Sequence, residues 1–430
     1  QEGGPFDGIV LREFLVVFRH CIPLQKRRVY TNTSNAQKAC RTLLGSWGTY
    51  SDRLKRLRRG HEKHANVLDF DNLTFQPAET SLSAFFVDRF CVQRSFRTFV
   101  RGSLTVTTDL PVYLDHHATT PIDPRVFQVM KPWLTNRFGN AASISHVYGE
   151  IAREAVEVAR RQIAELVNCQ PEEVIFTSGA TEANNLALKG VLKAASSDSH
   201  LIVNRGEHKA VLDPAERLSR EGHDVTTIEI DSYGQVHPET IREAITSATK
   251  LVSVMYASNE VGTINPIAEI ADICRERNIY LHTDAVQAVG LLPIDLKHQN
   301  IDLLSLSAHK IYGPQGVGAL IVRRDRGRIP LVPLIDGGGH ERHLRSGTLP
   351  VALIAGFGAA CRIAREEKET DSLRYTILRD RLWAGLTASL DGLHRNGHPT
   401  ECLPNNLNFS VEGVDGDALM AALTRIAVSS

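Results

Sequence analysis

The chain has 430 residues, 42% hydrophobic and 23% charged, the composition of a globular protein long enough for two or three domains. Its 49 basic and 49 acidic residues cancel, so no global charge selects nucleic acid or a membrane surface as partner. No apolar run reaches the roughly 18 residues that a spanning helix requires, which leaves a transmembrane reading without support.

The balance hides an asymmetry. Through Leu110 basic residues exceed acidic ones by roughly seven, and the remainder is acidic by the same margin. Residues 1–110 carry short apolar patches at 9–18 and 83–90 without a sustained period, and read as an unassigned basic N-terminal extension. Lys26-Arg27-Arg28 and the basic run at 54–59 read as solvated charged faces, with no nucleic-acid function assigned. Seven cysteines (Cys21, Cys40, Cys91, Cys169, Cys274, Cys361, Cys402) are dispersed, with no CxxC pair and no zinc-like spacing. That usage points to free thiols in a reducing intracellular compartment, the cytoplasm or an organellar matrix, and to no metal site.

From Pro111 the texture becomes alternating strand-like and helix-like segments, which predicts an α/β fold. Candidate strands are 173–177, 201–204, 225–230, 251–256, 279–283, 303–307 and 318–322. They predict a large domain with a mainly parallel seven-stranded sheet flanked by helices, at residues 111–365 together with the leading segment of a small domain. Between the strands lie helical patterns: residues 149–167 space Ile151, Ala155, Val158, Ala159, Ile163 and Leu166 along one stripe, and another helix begins at Pro266. A charged helix at 364–389, a strand at 406–411 and a last helix at 415–426 predict an incomplete small α+β domain over 366–430.

In parallel α/β sheets ligands bind beyond the carboxyl ends of the strands, so polar residues there are the candidates. After residues 174–176 comes a small-residue turn through Gly179, Ala180 and Thr181 into a helix, which offers free N–H groups and a helix dipole to an anion; an ordinary N-cap fits too. His208 after the second strand could stack on a planar ring or be structural, and Asn259 after the fourth could donate to a phenolic oxygen or form a turn. Asp284, with Gln287 behind it, could keep a heterocyclic nitrogen protonated or cap a helix. Lys310 ends the apolar strand 303–307, with Ser307 and His309 beside it, and could bind phosphate or form a Schiff base with a carbonyl cofactor. An anion cradle, a stacking ring, an aspartate for a pyridine nitrogen and a lysine for an aldehyde are together what pyridoxal 5'-phosphate needs.

The segments Tyr113-Leu114-Asp115, Ala118-Thr119-Thr120-Pro121, TSGATEANNLALKG (177–190), EHKAVLD (207–213), HTDAVQAVG (282–290), SAHKIYGPQGVGAL (307–320) and GGGHERHLRSGTLP (337–350) closely resemble the cysteine desulfurases of the class V aminotransferase family. The resemblance runs from Val112 to Ser430. It implies pyridoxal-phosphate fold type I, a homodimer, L-cysteine as substrate and a sulfur acceptor such as an iron–sulfur scaffold. It places the cofactor's internal aldimine on Lys310, its ring nitrogen on Asp284 and its stacked ring on His208. Thr181, Ser307 and His309 hold the phosphate, Asn259 and Gln287 address the ring oxygen, and Thr348 reaches the phosphate of a partner subunit.

Ala141, Ala257-Ser258, Gln315 and His343-Leu344 depart from the family pattern beside the expected site. In the family the segment resembling Ala427 to Ser430 continues into a Gly-Ser-Ala-Cys-Thr loop bearing the nucleophilic cysteine, and none of the seven cysteines here takes that place. The expectation is a desulfurase fragment that is inactive by itself. The alternatives are a selenocysteine lyase-like enzyme and a non-catalytic assembly subunit that keeps the cofactor fold.

Overall fold

The computed structural model describes residues 110–429. The expected N-terminal extension, with its apolar patches, basic runs and Cys21, Cys40 and Cys91, lies outside the described residues except for Leu110.

The chain enters through a short strand, β1 (Val112–Tyr113), followed by α1 (Pro124–Thr135) and α2 (Val147–Val167). Asp123 caps α1 by accepting from the Arg125 N–H at 2.7 Å, and α2 closes on Asn168 in the left-handed region, φ 53°. The buried stripe of α2 is Ala152, Val156, Ala159, Ile163 and Val167. Ile151 and Val158, placed in the core-facing stripe by sequence spacing, are exposed instead. The helix is apolar on two faces, and spacing does not say which one packs.

Next come β2 (Val174–Thr177), α3 (Ala180–Ala194), β3 (His200–Asn204), α4 (Lys209–Arg220), β4 (Asp224–Ile228), α5 (Pro238–Ala244), β5 (Thr249–Ser253), α6 (Ile267–Glu276), β6 (Tyr280–Asp284), β7 (Leu303–Ser307) and β8 (Gly318–Val322). The seven strands from β2 to β8 form one sheet in the order β2-β8-β7-β6-β5-β3-β4. The pairs among β4, β3, β5, β6 and β7 are parallel, and β8 runs antiparallel to both β7 and β2. All seven predicted strands are in this sheet, and its mainly parallel character is as expected.

Alternate residues of each strand supply two cores. Val174, Phe176, Ile202, Val252, Leu281 and Leu304 face a core shared with α2, α6 and the first half of α7 (Val351–Thr387). Ile175, Leu201, Leu251, Leu303 and Leu320 face the other, under α3 and α4. Burial on both faces is why these strands read as continuous apolar runs.

Helix α7 starts before the predicted residue 364, because Val351, Ile354, Phe357, Ala360 and their neighbours are buried all round and lack amphipathic contrast. The expected domain division at residue 365 falls inside it. After it come β9 (Leu393–Arg395), β10 (Phe409–Val411), α8 (Gly416–Ala422) and β11 (Ile426–Ala427). The predicted final helix ends early, since Ile426 pairs in parallel with Val112 and the Val112 N–H donates to the Arg425 carbonyl at 2.9 Å. The predicted strand 406–411 shortens to β10 because Asn406 and Asn408 turn their amides onto the Glu260 carbonyl, each at 3.1 Å.

Candidate active site

The carboxyl ends of β2, β3, β5, β6 and β7 open on a cleft of about 550 Å³. Ala180, Thr181, His208, Asn259, Asp284, Gln287, Ser307, His309 and Lys310 line it, so nine of the ten expected site residues come together. The tenth, Thr348, is exposed and does not line the cleft of its own chain.

The cradle is built by local backbone requirements. Gly179 caps α3 at φ +155°, and a Cβ on Gly318 of β8 would stand 2.7 Å from the Gly179 backbone. Close approach of the two glycines lets the turn lie flat against the sheet and aims the first N–H groups of α3 into the cleft. Glu182 in that first turn accepts from the Ser178 N–H at 2.8 Å and pairs with Arg345 at 2.9 Å. Burial opposes its ionisation, but Arg345 and Ser178 hold its carboxyl below the usual range. Arg345 thereby ties the segment carrying Thr348 to the cradle.

On the opposite wall, Lys310 follows β7 in one turn of 3₁₀ helix, and its Nζ donates to the His117 carbonyl. Gln287 Nε2 donates to the same carbonyl at 3.0 Å. Burial pushes the Lys310 ammonium down from its ordinary value, with Asp284 and Asp115 pulling partly back, so the amine loses its proton more easily than an exposed lysine. His309 stacks its support the other way: its Nδ1 meets Thr119 Oγ1 at 3.1 Å, and its carbonyl accepts from the Thr120 N–H at 2.9 Å.

Asp284 at the end of β6 is 8% exposed. Its Oδ2 accepts from Asn184 Nδ2 at 2.7 Å and its Oδ1 from the Val286 N–H at 3.1 Å. Burial pushes its carboxyl up, against the Asn184 and Val286 donors and the nearby Lys310 ammonium. A cation facing this carboxyl would favour its charged form against the cost of burial. His208 is the N-cap of α4, its Nδ1 accepting from the Ala210 N–H at 3.0 Å. The structural role and the cleft position coexist, because the cap occupies one ring nitrogen only.

Sequence reasoning missed His117 and Asn184, and it named Gln315, which also lines the cleft, only as a departure beside the site. His117 and Asn184 line the cleft, and among the described residues neither buried His117 ring nitrogen has a well-formed hydrogen bond, the Asn405 backbone being the nearest polar group that acts on the ring. Burial pushes the His117 imidazole down, toward the neutral form. Asn184 sits in the middle of α3, where an amide carries no sequence signal until Asp284 is known to face it. Among the described residues no cysteine lines the cleft. Burial pushes the Cys169 and Cys274 thiols up to about 12, and Cys402 Sγ instead accepts from Arg379 at 3.4 Å and Arg395 at 3.1 Å.

The sheet order, the lysine after β7 and the anion cradle define a class, and the chain belongs to it: residues 112–430 match the class-V aminotransferase family. Within that family it is similar to cysteine desulfurase IscS of Anaeromyxobacter dehalogenans (strain 2CP-C), 49% identical over 322 residues, which is 75% of this chain and 80% of the relative. Among solved structures a NifS-like protein superposes with TM-score 0.71 at 38% identity, covering 75% of this chain and 88% of the other. SspA in complex with cysteine superposes with TM-score 0.66 at 36% identity, covering 74% and 88%. The class-V aminotransferases and these desulfurases depend on pyridoxal phosphate. The cleft residues fit that cofactor in the chemistry of their donors and in the buried His117 nitrogens that lack a well-formed hydrogen bond.

Proposed function

We propose that this chain carries the cofactor site of a pyridoxal-phosphate-dependent cysteine desulfurase, an enzyme that converts L-cysteine to L-alanine and passes the sulfur to an enzyme cysteine for iron–sulfur cluster assembly; no described cysteine lines this cleft, so the chain by itself holds the substrate chemistry and not the sulfur acceptor. The observation that carries the reading is that the Lys310 amine, the Asp284 carboxyl and the cradle at Gly179 share one cleft. Bound pyridoxal phosphate supplies an aldehyde that captures amines and a ring that accepts electron density from the substrate α-carbon.

The chain's own residues then divide the work. Thr181, Ser307, His309 and the first N–H groups of α3 bind the phosphate. Asp284, fixed by Asn184 and Val286, holds the proton of the ring nitrogen. Asn259 and Gln287 offer amide donors to the ring oxygen. Lys310 provides the amine that anchors the cofactor, and its lowered basicity favours the neutral, nucleophilic form. With Nδ1 accepting from the helix cap, His208 keeps its ring face for stacking and its Nε2–H for donating a proton at the substrate.

A homodimer completes the site in this reading. Phe138, Ile144, Val147 and Tyr148 stand 72%, 89%, 58% and 52% exposed around the start of α2, a contiguous apolar face of the kind that a subunit contact covers. Thr348, exposed and not lining the cleft of its own chain, serves the phosphate of the second copy. Residues 111–365 act as the cofactor domain and 366–430 as the small domain. The sulfur goes on to a scaffold or another acceptor in a reducing intracellular compartment.

The test is spectroscopic. The purified chain with added cofactor shows a visible absorbance band that L-cysteine perturbs, and Lys310→Ala abolishes the band while the fold persists by circular dichroism. An unchanged band in that variant overturns the lysine assignment.

A further inference from the structure

Glu207 sits directly before His208 and has no part in the mechanism above, yet it is buried beside the cleft, 6% exposed. Its Oε1 accepts from Asn204 Nδ2 at the end of β3 and from the Met255 N–H after β5, each at 2.5 Å. Its Oε2 is buried with no partner. Among the described residues no cation acts on it: the groups that do are the Asp284 carboxyl on β6, which repels a second negative charge, the Met255 N–H and Asn204. Asp284 is differently placed, with a donor on each oxygen and Lys310 near enough to favour its charge.

Two carboxyl groups in one buried space do not both ionise, and the proton settles on the one with the poorer support for charge. That one is Glu207. Burial and Asp284 both push its carboxyl well above the usual range. Protonation turns the unpartnered Oε2 into a neutral hydroxyl and removes the cost of an unsupported buried negative oxygen.

We propose that Glu207 is a positioning residue, a carboxylic acid kept protonated behind Asp284, so that Asp284 alone carries the negative charge facing the cofactor ring. Its two accepted hydrogen bonds hold the ends of β3 and β5 together beneath His208. The proposal rests on the reading of the cleft as a pyridoxal-phosphate site, but its first test does not.

Infrared difference spectra of the apoprotein contain a protonated-carboxyl stretch that Glu207→Gln removes; absence of a Glu207-dependent band overturns the proposal whether or not the cofactor binds. In the loaded protein Glu207→Gln, a neutral isostere, keeps the pyridoxal phosphate Kd within about twofold and leaves the pH midpoint of the visible band in place. Glu207→Leu strands the Asn204 and Met255 donors and weakens the cofactor about tenfold, a loss that the Gln variant does not show. A midpoint displaced by more than about half a pH unit in Glu207→Gln means that a charge was removed, and overturns the neutral acid. Wild-type affinity in a folded Glu207→Leu variant overturns the positioning role. Failure of the wild-type chain to bind cofactor, with the infrared band present, counts against the functional reading and not against the protonated Glu207.

Discussion

Replacing Asn184 by leucine isolates the support of Asp284. The Asn184 amide donates to Asp284 Oδ2 at 2.7 Å, and its own Oδ1 has no partner. Leucine of similar volume therefore removes one hydrogen bond and leaves nothing unpaired on its own side. The loss falls on Asp284, where one oxygen of a buried carboxylate has no donor left. A hydrogen bond to a charged acceptor is worth about 1.5–3 kcal/mol, whereas one to a neutral acceptor is worth about 1 kcal/mol. With cofactor bound, Asp284 faces a cation that favours its charge; without it, burial makes that charge costlier and the donor is worth less. The variant thus loses more in the loaded state than in the free one. Its Kd for pyridoxal phosphate rises by about one decade, while the apoprotein is destabilised by about 1 kcal/mol. Titration of cofactor into apoprotein, followed by the visible band, gives the first quantity, and urea denaturation of the apoprotein gives the second. Because burial already raises the Asp284 pKa and leucine removes an opposing donor, the protonated fraction grows as pH falls, and the affinity gap widens with it. An unchanged Kd in a folded variant, or a gap that narrows toward acid, refutes the reasoning that a charged Asp284 holds the ring.

Arg160→Met breaks a buried pair in which Arg160 Nη2 meets Glu341 Oε1 at 2.8 Å with side chains 4% and 2% exposed. Urea denaturation should show a loss of about 3–5 kcal/mol, and less than about 1 kcal/mol would mean that solvent reaches the orphaned Glu341. His282 is enclosed between Ser253 at 2.8 Å and Ser305 at 3.0 Å, and burial pushes its imidazole down to about 3 from the ordinary 6.5. Between those values the unfolded chain binds the proton and the folded one does not, so stability falls as pH drops from 6.5 toward 3, by at most about 1.4 kcal/mol per pH unit. Glu, Asp and other groups add their own slope, so the comparison is with His282→Gln, which has no proton to gain; equal acid slopes in the two proteins would exclude the histidine. Ile144→Asp and Phe138→Asp place charge in the exposed face by α2 and should shift sedimentation toward monomer if that face joins two copies.

The sequence by itself determined the seven strands and most of the cleft, because both are written in short local patterns. A strand buried on both faces is a run of apolar residues, and the polar residue that follows it is at a sheet end wherever the sheet order puts it. Lys310, Asp284 and His208 could therefore be picked out one at a time. What only the tertiary structure decided is which residues meet across long separations. Val112 pairs with Ile426 and cuts short a helix that propensity alone extends. The second apolar face of α2 is left exposed while the first packs on α7, and the periodicity is the same for both. Asn184 and Glu207 gain their meaning from Asp284, which lies on another strand. An amide or a carboxyl has no local signature of being desolvated; that cost exists only once the sheet has closed over it, and with it comes the question of which carboxyl keeps the proton.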